Sequence, residues 1–541
     1  MKIAISQLNY HIGNFDSNTE KIIQSIEKAK KEGADLAVFS ELAVCGYPPR
    51  DFLEFSDFYH LVEEAIQKIA MASKNIGVIV GAPAKNPNKK GKKLFNCAYF
   101  INDGKVVSKH YKQLLPNYDI FDEYRYFQPA EEVNCVSFQG KKIALTICED
   151  IWNVEGSYLY RRSPMEQLIE ESPDLIINIA ASPFSYEQIN RRNEVFDYNI
   201  KKYNLPILYV NHIGAQTELI FDGGSCFIDN QGKLKKQLSF FEEDQQIIEL
   251  DNTEETSKVS FNKYELIYDA LKLGVKDYFR KLGFKKASLG LSGGIDSALT
   301  LAIAADALGS DNVIPILMPS QFSSDHSIDD SVELCKNLGC KYHQIHIEDI
   351  FNSFGKKLGP IFGDLPFDLT EENIQSRIRG TLLMAYTNKF GTILLNTSNK
   401  SELAVGYGTL YGDMAGGLSV IGDLYKTEVF ELSRFINREN EIIPENIISK
   451  EPSAELRPDQ KDSDSLPDYE VLDQILRYYI EERKGPSEII ASGFDEELVK
   501  RSLRLVNINE YKRHQTAPIL RVSEKAFGMG RRMPIVGKYL A

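Results

Sequence analysis

The stretch "KASLGLSGGIDSALTLAIAADALG", residues 286–309, most narrows what this chain can fold into. An apolar run too short for a helix meets a turn of small residues, and a helical pattern follows. The same rhythm continues through "NVIPILMP", "SIDDSVELCKNLG" and "KYHQIHI". Buried-looking strands alternating with helices predict a doubly wound parallel sheet. Gly293 and Gly294 let the backbone of the turn take positive φ and approach a ligand closely. The next helix, beginning near Asp296 or Ser297, points free N–H groups into the turn, which favours an anion and above all phosphate. The turn lacks the Gly-Lys-Ser/Thr ending of a P-loop and does not fit G-x-G-x-x-G. Asp296 supplies a hard oxygen of the kind Mg²⁺ prefers.

One such sheet does not use up 541 residues, so at least two domains are expected. Residues 1–250 carry short strands such as "KIAISQL", "DLAVFS", "NIGVIVGAP", "KIALTIC" and "DLIINIAAS", with helical patterns such as "NTEKIIQSIEKAKKEG" between them. This predicts a layered α/β domain. "LDNTEETSKVSFNKYE" is polar and aperiodic, so 251–262 reads as a linker and 263–541 as the second domain. The net charge of −14 argues against general nucleic-acid binding and requires Lys and Arg to gather locally around any phosphate site. No apolar run is long enough to span a membrane. The opening "MKIAISQLNYHIGNF" reads as strand and loop, not as a signal peptide. Seven cysteines without CxxC spacing predict reduced thiols in the cytoplasm.

In "ALTICEDIW", Cys148 ends an alternating run and Glu149 and Asp150 follow. A thiol attacks as its thiolate, which neighbouring acids disfavour. Cys148 is therefore either inert core or served by a base and a cation from elsewhere. Glu41 and Lys112 also sit just after strands, where a layered fold can bring side chains together. Strand alternation predicts that the two acids after Cys148 point outward. Cys45 reads as core, and Trp152 as packing. His343 and His346, on an expected strand, fall on opposite faces and make a poor metal pair.

In the second half, "EENIQSRIRGTLLMAYTNKFG" is helical, with Asn373 and Arg377 four apart on one face. Thr397, Asn399, Glu402, Asp413 and Lys426 follow an apolar strand. "KEPSAELRPDQKDSDSLPDYE" is polar and proline-punctuated and reads as a loop. Singly, each has an ordinary structural explanation.

Together these motifs resemble two families. The SGGIDS turn is similar to that of pyrophosphate-releasing ATP enzymes. "NIQSRIRG", "SNKSELAVGYGTLYGDMAGG" and "KRHQTAP" narrow the resemblance to the NAD synthetase family from about residue 263 onward. Glu41, Lys112 and Cys148 resemble the Glu–Lys–Cys triad of the nitrilase (carbon–nitrogen hydrolase) superfamily, in particular the glutaminase domain of glutamine-dependent NAD synthetases. The implied fold is an α-β-β-α nitrilase-like sandwich followed by a doubly wound parallel-sheet ATP-pyrophosphatase domain. The implied substrates are glutamine, ATP and deamido-NAD (nicotinate adenine dinucleotide), with Mg²⁺, and the implied assembly is a homo-oligomer.

By resemblance, Tyr118 and Ser182 bind glutamine. Gln188 stands where relatives often carry lysine. Gly290, Leu291, Ser292, Gly293, Gly294, Ile295, Asp296, Ser297, Thr397, Lys426 and Ser453 bind ATP. Asn373, Arg377, Asp413 and Lys512 bind deamido-NAD. Glu402 contacts either the metal or the dinucleotide. Arg377, Arg379, Lys400, Lys426, Lys512 and Arg513 are expected to supply the local positive charge. The loop beginning at Glu451, "EPSAELRPDQKDSDSLPDYE", is expected to close over the adenylate.

Overall fold

The fold was analysed in a computed structural model that describes all residues except 89, 156–158, 252–253, 258–260, 454, 459, 461, 465 and 540–541, and the side chain of residue 325. It divides into two units, Met1–Phe261 and Asn262–Ala541.

The alternation read from the sequence sorts side chains between two faces in the first unit. Ile3, Ile5, Leu36, Val38 and Ile79 enter one core with Ile143, Leu145, Ile177 and Ile179 of a second sheet. Their chain neighbours Ala4, Ala37, Val78 and Val80 enter another core with Ile22, Ile26, Val62 and Ile69. Those last four belong to the helices Phe15–Lys31 and Ser56–Ala72. The first sheet orders its strands Asp244–Glu249, Lys2–Gln7, Leu36–Val38, Gly77–Lys85, Leu94–Asn102 and Lys105–Tyr111. The second orders Leu234–Gln237, Cys226–Ile228, Ile207–Asn211, Leu175–Ala180, Lys141–Ile147 and Val136–Phe138. The helix Gln188–Tyr203 packs Val195, Phe196 and Ile200 onto the second sheet. The result is the α-β-β-α sandwich.

The second unit holds a five-stranded sheet in the order His343–Gln344, Val313–Leu317, Ala287–Leu291, Ile393–Asn396, Leu418–Ser419. All its pairings are parallel. "KYHQIHI" contributes only two strand residues, and both histidines lie exposed outside the core. The chain starts in the centre, fills one side, then crosses to the other. The order therefore reverses between Ala287–Leu291 and Ile393–Asn396, and a crevice opens there at the carboxyl ends of the strands. The helix Ile295–Leu308 leaves that point and is buried almost all round, which accounts for its weak amphipathic pattern.

Candidate functional sites

Three strand ends converge in the first unit. Glu41, Lys112 and Cys148 follow the strands Leu36–Val38, Lys105–Tyr111 and Lys141–Ile147. Lys112 is fully buried. Its Nζ donates to Glu41 Oε1 at 2.7 Å and to both oxygens of Glu123 at 2.9 Å. Asn96 Nδ2 bridges the same carboxylates, at 2.7 Å to Glu41 and 3.2 Å to Glu123. The Ala181 N–H holds the other oxygen of Glu41 at 2.9 Å. Burial works against the Lys112 charge, but Glu123 and Glu41 outweigh it and hold the ammonium well above its usual range. Burial pushes Glu123 up to about 7 against the pull of Lys112.

Cys148 sits in this field with φ +43°, a left-handed backbone that a non-glycine residue adopts at a cost. Burial raises its thiol well above the usual value. Glu41 adds to the rise and Lys112 opposes it. The thiol is therefore neutral at rest, with a carboxylate as its strongest charged neighbour. A thiol in this state could act as a nucleophile only by losing its proton as it attacks.

The expectation that Glu149 and Asp150 face outward is wrong. The period of two ends at Ile147, and Cys148–Ile151 winds into a 3₁₀ turn that buries both acids. Asp150 accepts the N–H groups of Gln113, Leu114 and Ile147 at 3.0, 2.9 and 3.0 Å, tying the cysteine turn to the chain just after Lys112. Glu149 accepts Tyr118 Oη and Tyr160 Oη at 2.9 Å each. Ser182 is buried, its N–H bonded to Asn211 Oδ1 at 2.9 Å and its Oγ receiving Gln188 Nε2 at 3.3 Å. Glu123 was missed because it lies in a one-turn helix, Glu123–Tyr126, without any periodic signal.

The second unit's pocket is lined by the whole 290–297 turn and by Thr397, Glu402, Asp413, Lys426 and Ser453. Gly293 has φ +82°. Ser292 and Ser297 brace the turn, with Gly294 N–H on Ser292 Oγ at 3.2 Å and Ser297 Oγ on the Gly294 carbonyl at 3.0 Å. Asp296 accepts Lys426 Nζ at 2.5 Å and Asn399 Nδ2 at 2.8 Å. Glu402 lies 3.5 Å from the same lysine. Burial and the nearby Asp296 raise Glu402 to about 8, opposed by Lys426.

The other dinucleotide candidates are absent from that lining and instead hold the chain beside it. Asn373 Oδ1 accepts Thr409 Oγ1 at 2.7 Å, Arg377 Nε donates to the Leu410 carbonyl at 3.3 Å, and Lys512 Nζ donates to the carbonyls of Gly406 and Gly408 at 2.8 Å each. Asp413 belongs to both groups, taking the Thr409 N–H at 2.6 Å while facing the pocket.

Two of the expected cations are structural. Lys400 is fully buried between Asp423 at 3.0 Å and Glu481 at 2.7 Å. Arg513 caps the carbonyls of Leu403 and Ala404 and pairs with Glu510. Their charges are spent inside the fold, because buried cations need partners. Lys450, which is not among the cations expected above, lines the pocket. Its Nζ bonds Ser327 Oγ at 2.5 Å and Glu455 Oε1 at 2.7 Å.

Comparison with known proteins fits this geometry. A carbon-nitrogen hydrolase family profile matches residues 2–258, and an NAD synthase profile matches 267–516. A glutamine-dependent NAD(+) synthetase from Synechocystis sp. is 47% identical over 98% of each chain. Another from Acinetobacter baylyi is 43% identical over 99% of this chain and 98% of that one. The chain belongs to the glutamine-dependent NAD(+) synthetase family. Among solved structures of this family, the enzyme from Acinetobacter baumannii in complex with adenosine diphosphate superposes with a TM-score of 0.79 at 40% identity, covering 99% of this chain and 98% of that one. Both halves of the family's double architecture are therefore present in one polypeptide.

Proposed function

We propose that this protein hydrolyses glutamine in its first unit and uses the ammonia in its second to convert deamido-NAD to NAD, with ATP split to AMP and pyrophosphate. The observation that carries this reading is the buried Glu41–Lys112–Cys148 group in the same chain as a pocket built on the SGGIDS turn.

In the first unit, Glu41 takes the Cys148 proton as the sulfur attacks the glutamine amide carbon. The tetrahedral intermediate collapses, ammonia leaves with that proton, and a γ-glutamyl thioester remains. Glu41 then activates water to release glutamate. Lys112 supplies fixed positive charge to the oxyanion. All three of its hydrogens are engaged by Glu41 and Glu123, so direct donation requires one Glu123 contact to loosen. Tyr118, Ser182 and Gln188 form the glutamine-binding wall. Glu149, beside the nucleophile and held by two tyrosines, offers negative charge to the substrate's α-ammonium.

In the second unit, the nicotinate carboxylate attacks the ATP α-phosphorus and pyrophosphate leaves. Ammonia then attacks the acyl carbon, AMP departs and a proton is lost to solvent. The 290–297 turn, Thr397, Lys426 and Ser453 hold the nucleotide. Asn373, Arg377, Asp413 and Lys512 serve the dinucleotide. Asp296 and Glu402 fit Mg²⁺: they are two carboxylates whose mutual repulsion one lysine only partly relieves. Among the described residues no cluster of three metal-ligating side chains exists, as suits an ion held by one or two carboxylates plus phosphate oxygens. When bound, the ion neutralises charge on the leaving pyrophosphate. The loop that begins at Glu451 is assigned to cover the adenylate; its residues 454, 459, 461 and 465 lie outside the described residues. No helix among the described residues is long and apolar enough to cross a membrane. The reading places the protein in the cytoplasm as a homo-oligomer, with ammonia passed internally and no nucleic-acid partner.

The test is NAD formation with glutamine and, separately, with ammonium. Wild type is expected to use both sources. Failure to form NAD and AMP with either source would overturn the reading.

A further inference from the structure

Among the described residues, three cations line the nucleotide pocket: Arg379, Lys426 and Lys450. Two are already paired. Lys426 is bonded to Asp296, and Lys450 to Glu455 and Ser327. Arg379 differs. Its Nε donates to the Met318 carbonyl at 3.0 Å, and neither Nη meets an acceptor among the described residues. Glu455 and Asp413 act on it through space without bonding it, and burial still lowers the guanidinium to about 10. An arginine held by one backbone carbonyl, with its fork left open, is prepared to take two oxygens of an anion.

Its position narrows which anion. Ser376, Arg379, Gly380 and Leu383 all line the pocket, and they fall at i, i+3, i+4 and i+7 on the helix Leu369–Phe390. They form one face of that helix. At one end of this stripe, Ser376 Oγ reaches Asp413 at 3.5 Å, on the segment that Asn373, Arg377 and Lys512 hold. The 290–297 turn and the Asp296–Lys426 pair belong to the same pocket. Arg379 therefore lies on the face that joins the dinucleotide residues to the nucleotide turn. There the carboxylate and the α-phosphorus must meet.

We propose that Arg379 is a catalytic residue of adenylyl transfer, its two Nη groups gripping the non-bridging oxygens of the ATP α-phosphate as the carboxylate attacks. This rests on the reading of the second unit given above. Gripping the phosphate costs the guanidinium no existing salt bridge, and the grip speeds the step to the extent that it tightens on the α-phosphate oxygens in the transition state. A nicotinate carboxylate is the other anion a guanidinium could hold, and kinetics separates the two.

The experiment measures ATP–pyrophosphate exchange with deamido-NAD present, and ammonium-driven NAD formation, for wild type, Arg379→Gln and Arg379→Lys. Losing one preorganised donor group predicts a fall of about 100-fold in kcat for both reactions in Arg379→Gln. Its KM for deamido-NAD is expected to stay within about threefold. Arg379→Lys, which keeps the charge but not the fork, is expected to remain at least about tenfold slow. A kcat loss below tenfold in Arg379→Gln, or a loss carried by KM for deamido-NAD, overturns the proposal. Should Arg379→Gln not fold, Arg379→Lys decides: kcat at least tenfold down supports the assignment, and wild-type kcat overturns it. Absence of exchange in wild type would instead discard the adenylation reading itself.

Discussion

Each unit places a lysine between two acids, and the acids' access to solvent separates the two sites. In the first unit Lys112 and Glu41 are 0% exposed and Glu123 5%. In the second, Lys426 is 3% exposed but Asp296 and Glu402 are 18% and 17%. The closed cluster suits a step that moves one proton and one amide bond, where a fixed charge in a dry site acts strongly. On the proposed function the open cluster has to admit a triphosphate and a dinucleotide, and its carboxylates lie within reach of water. A lysine held between two carboxylates is thus sealed from solvent in one unit and open to it in the other.

The strongest way to break this contrast is to remove the thiol that the proposed function makes the nucleophile. Cys148→Ala is expected to lower glutamine-driven NAD synthesis by about 10³-fold or more. Ammonium-driven synthesis should stay within about twofold of wild type. Equal losses with both nitrogen sources would mean the two sites are not chemically separate. Asp296→Asn should cut both reactions by about 10²-fold, because it weakens the hold on the leaving phosphates; steady-state rates with each source decide. Stability sharpens the comparison next. Lys112→Met strands two sealed carboxyls and should cost about 3–5 kcal/mol. Lys426→Met leaves acids that water can reach and should cost less than half of that, as measured by denaturant midpoints.

Smaller effects follow. Gln188→Lys puts a cation beside Ser182 and should lower the KM for glutamine by about three- to tenfold if the α-carboxylate binds there; an unchanged KM would move that carboxylate elsewhere. The smallest effect concerns pH. Glu123 is raised from 4.5 to about 7 by burial. Between those values the folded chain keeps a proton that the unfolded chain releases, so this group's contribution to stability falls as pH rises through the window. Glu123→Gln should flatten that part of the stability–pH curve, seen by comparing denaturant midpoints at the two ends.

What could be read from the sequence was what depends on local period and punctuation. A layered α/β domain and the parallel sheet followed from alternating strands and helices, the tight turn from glycines at a strand-to-helix junction, and the α-β-β-α sandwich from the family resemblance. Glu41, Lys112 and Cys148 were recognisable because strand ends are where layered folds gather side chains. Partnership across the chain was not readable. Glu123 comes from an isolated turn, and no sequence pattern showed that Lys112, singled out at a strand end, would be 0% exposed. Glu149 and Asp150 were assigned to the wrong side because one 3₁₀ turn cancels a period-two rule. Lys400 and Arg513 counted as free charge only while their partners, Asp423, Glu481 and Glu510, were distant in sequence.

The two glycines of the SGGIDS turn are not equivalent. A Cβ at Gly293 would lie 2.4 Å from the Ser327 carbonyl oxygen, whereas one at Gly294 meets nothing nearer than Ser292 Oγ at 3.3 Å. The first glycine is thus an architectural joint between two neighbouring helices, and a side chain there damages the scaffold before any nucleotide arrives. Only the second reports on ligand approach by itself. An inactive Gly293 variant would say that the crevice had been rebuilt, while on the proposed function an inactive Gly294 variant would say that a phosphate had been turned away.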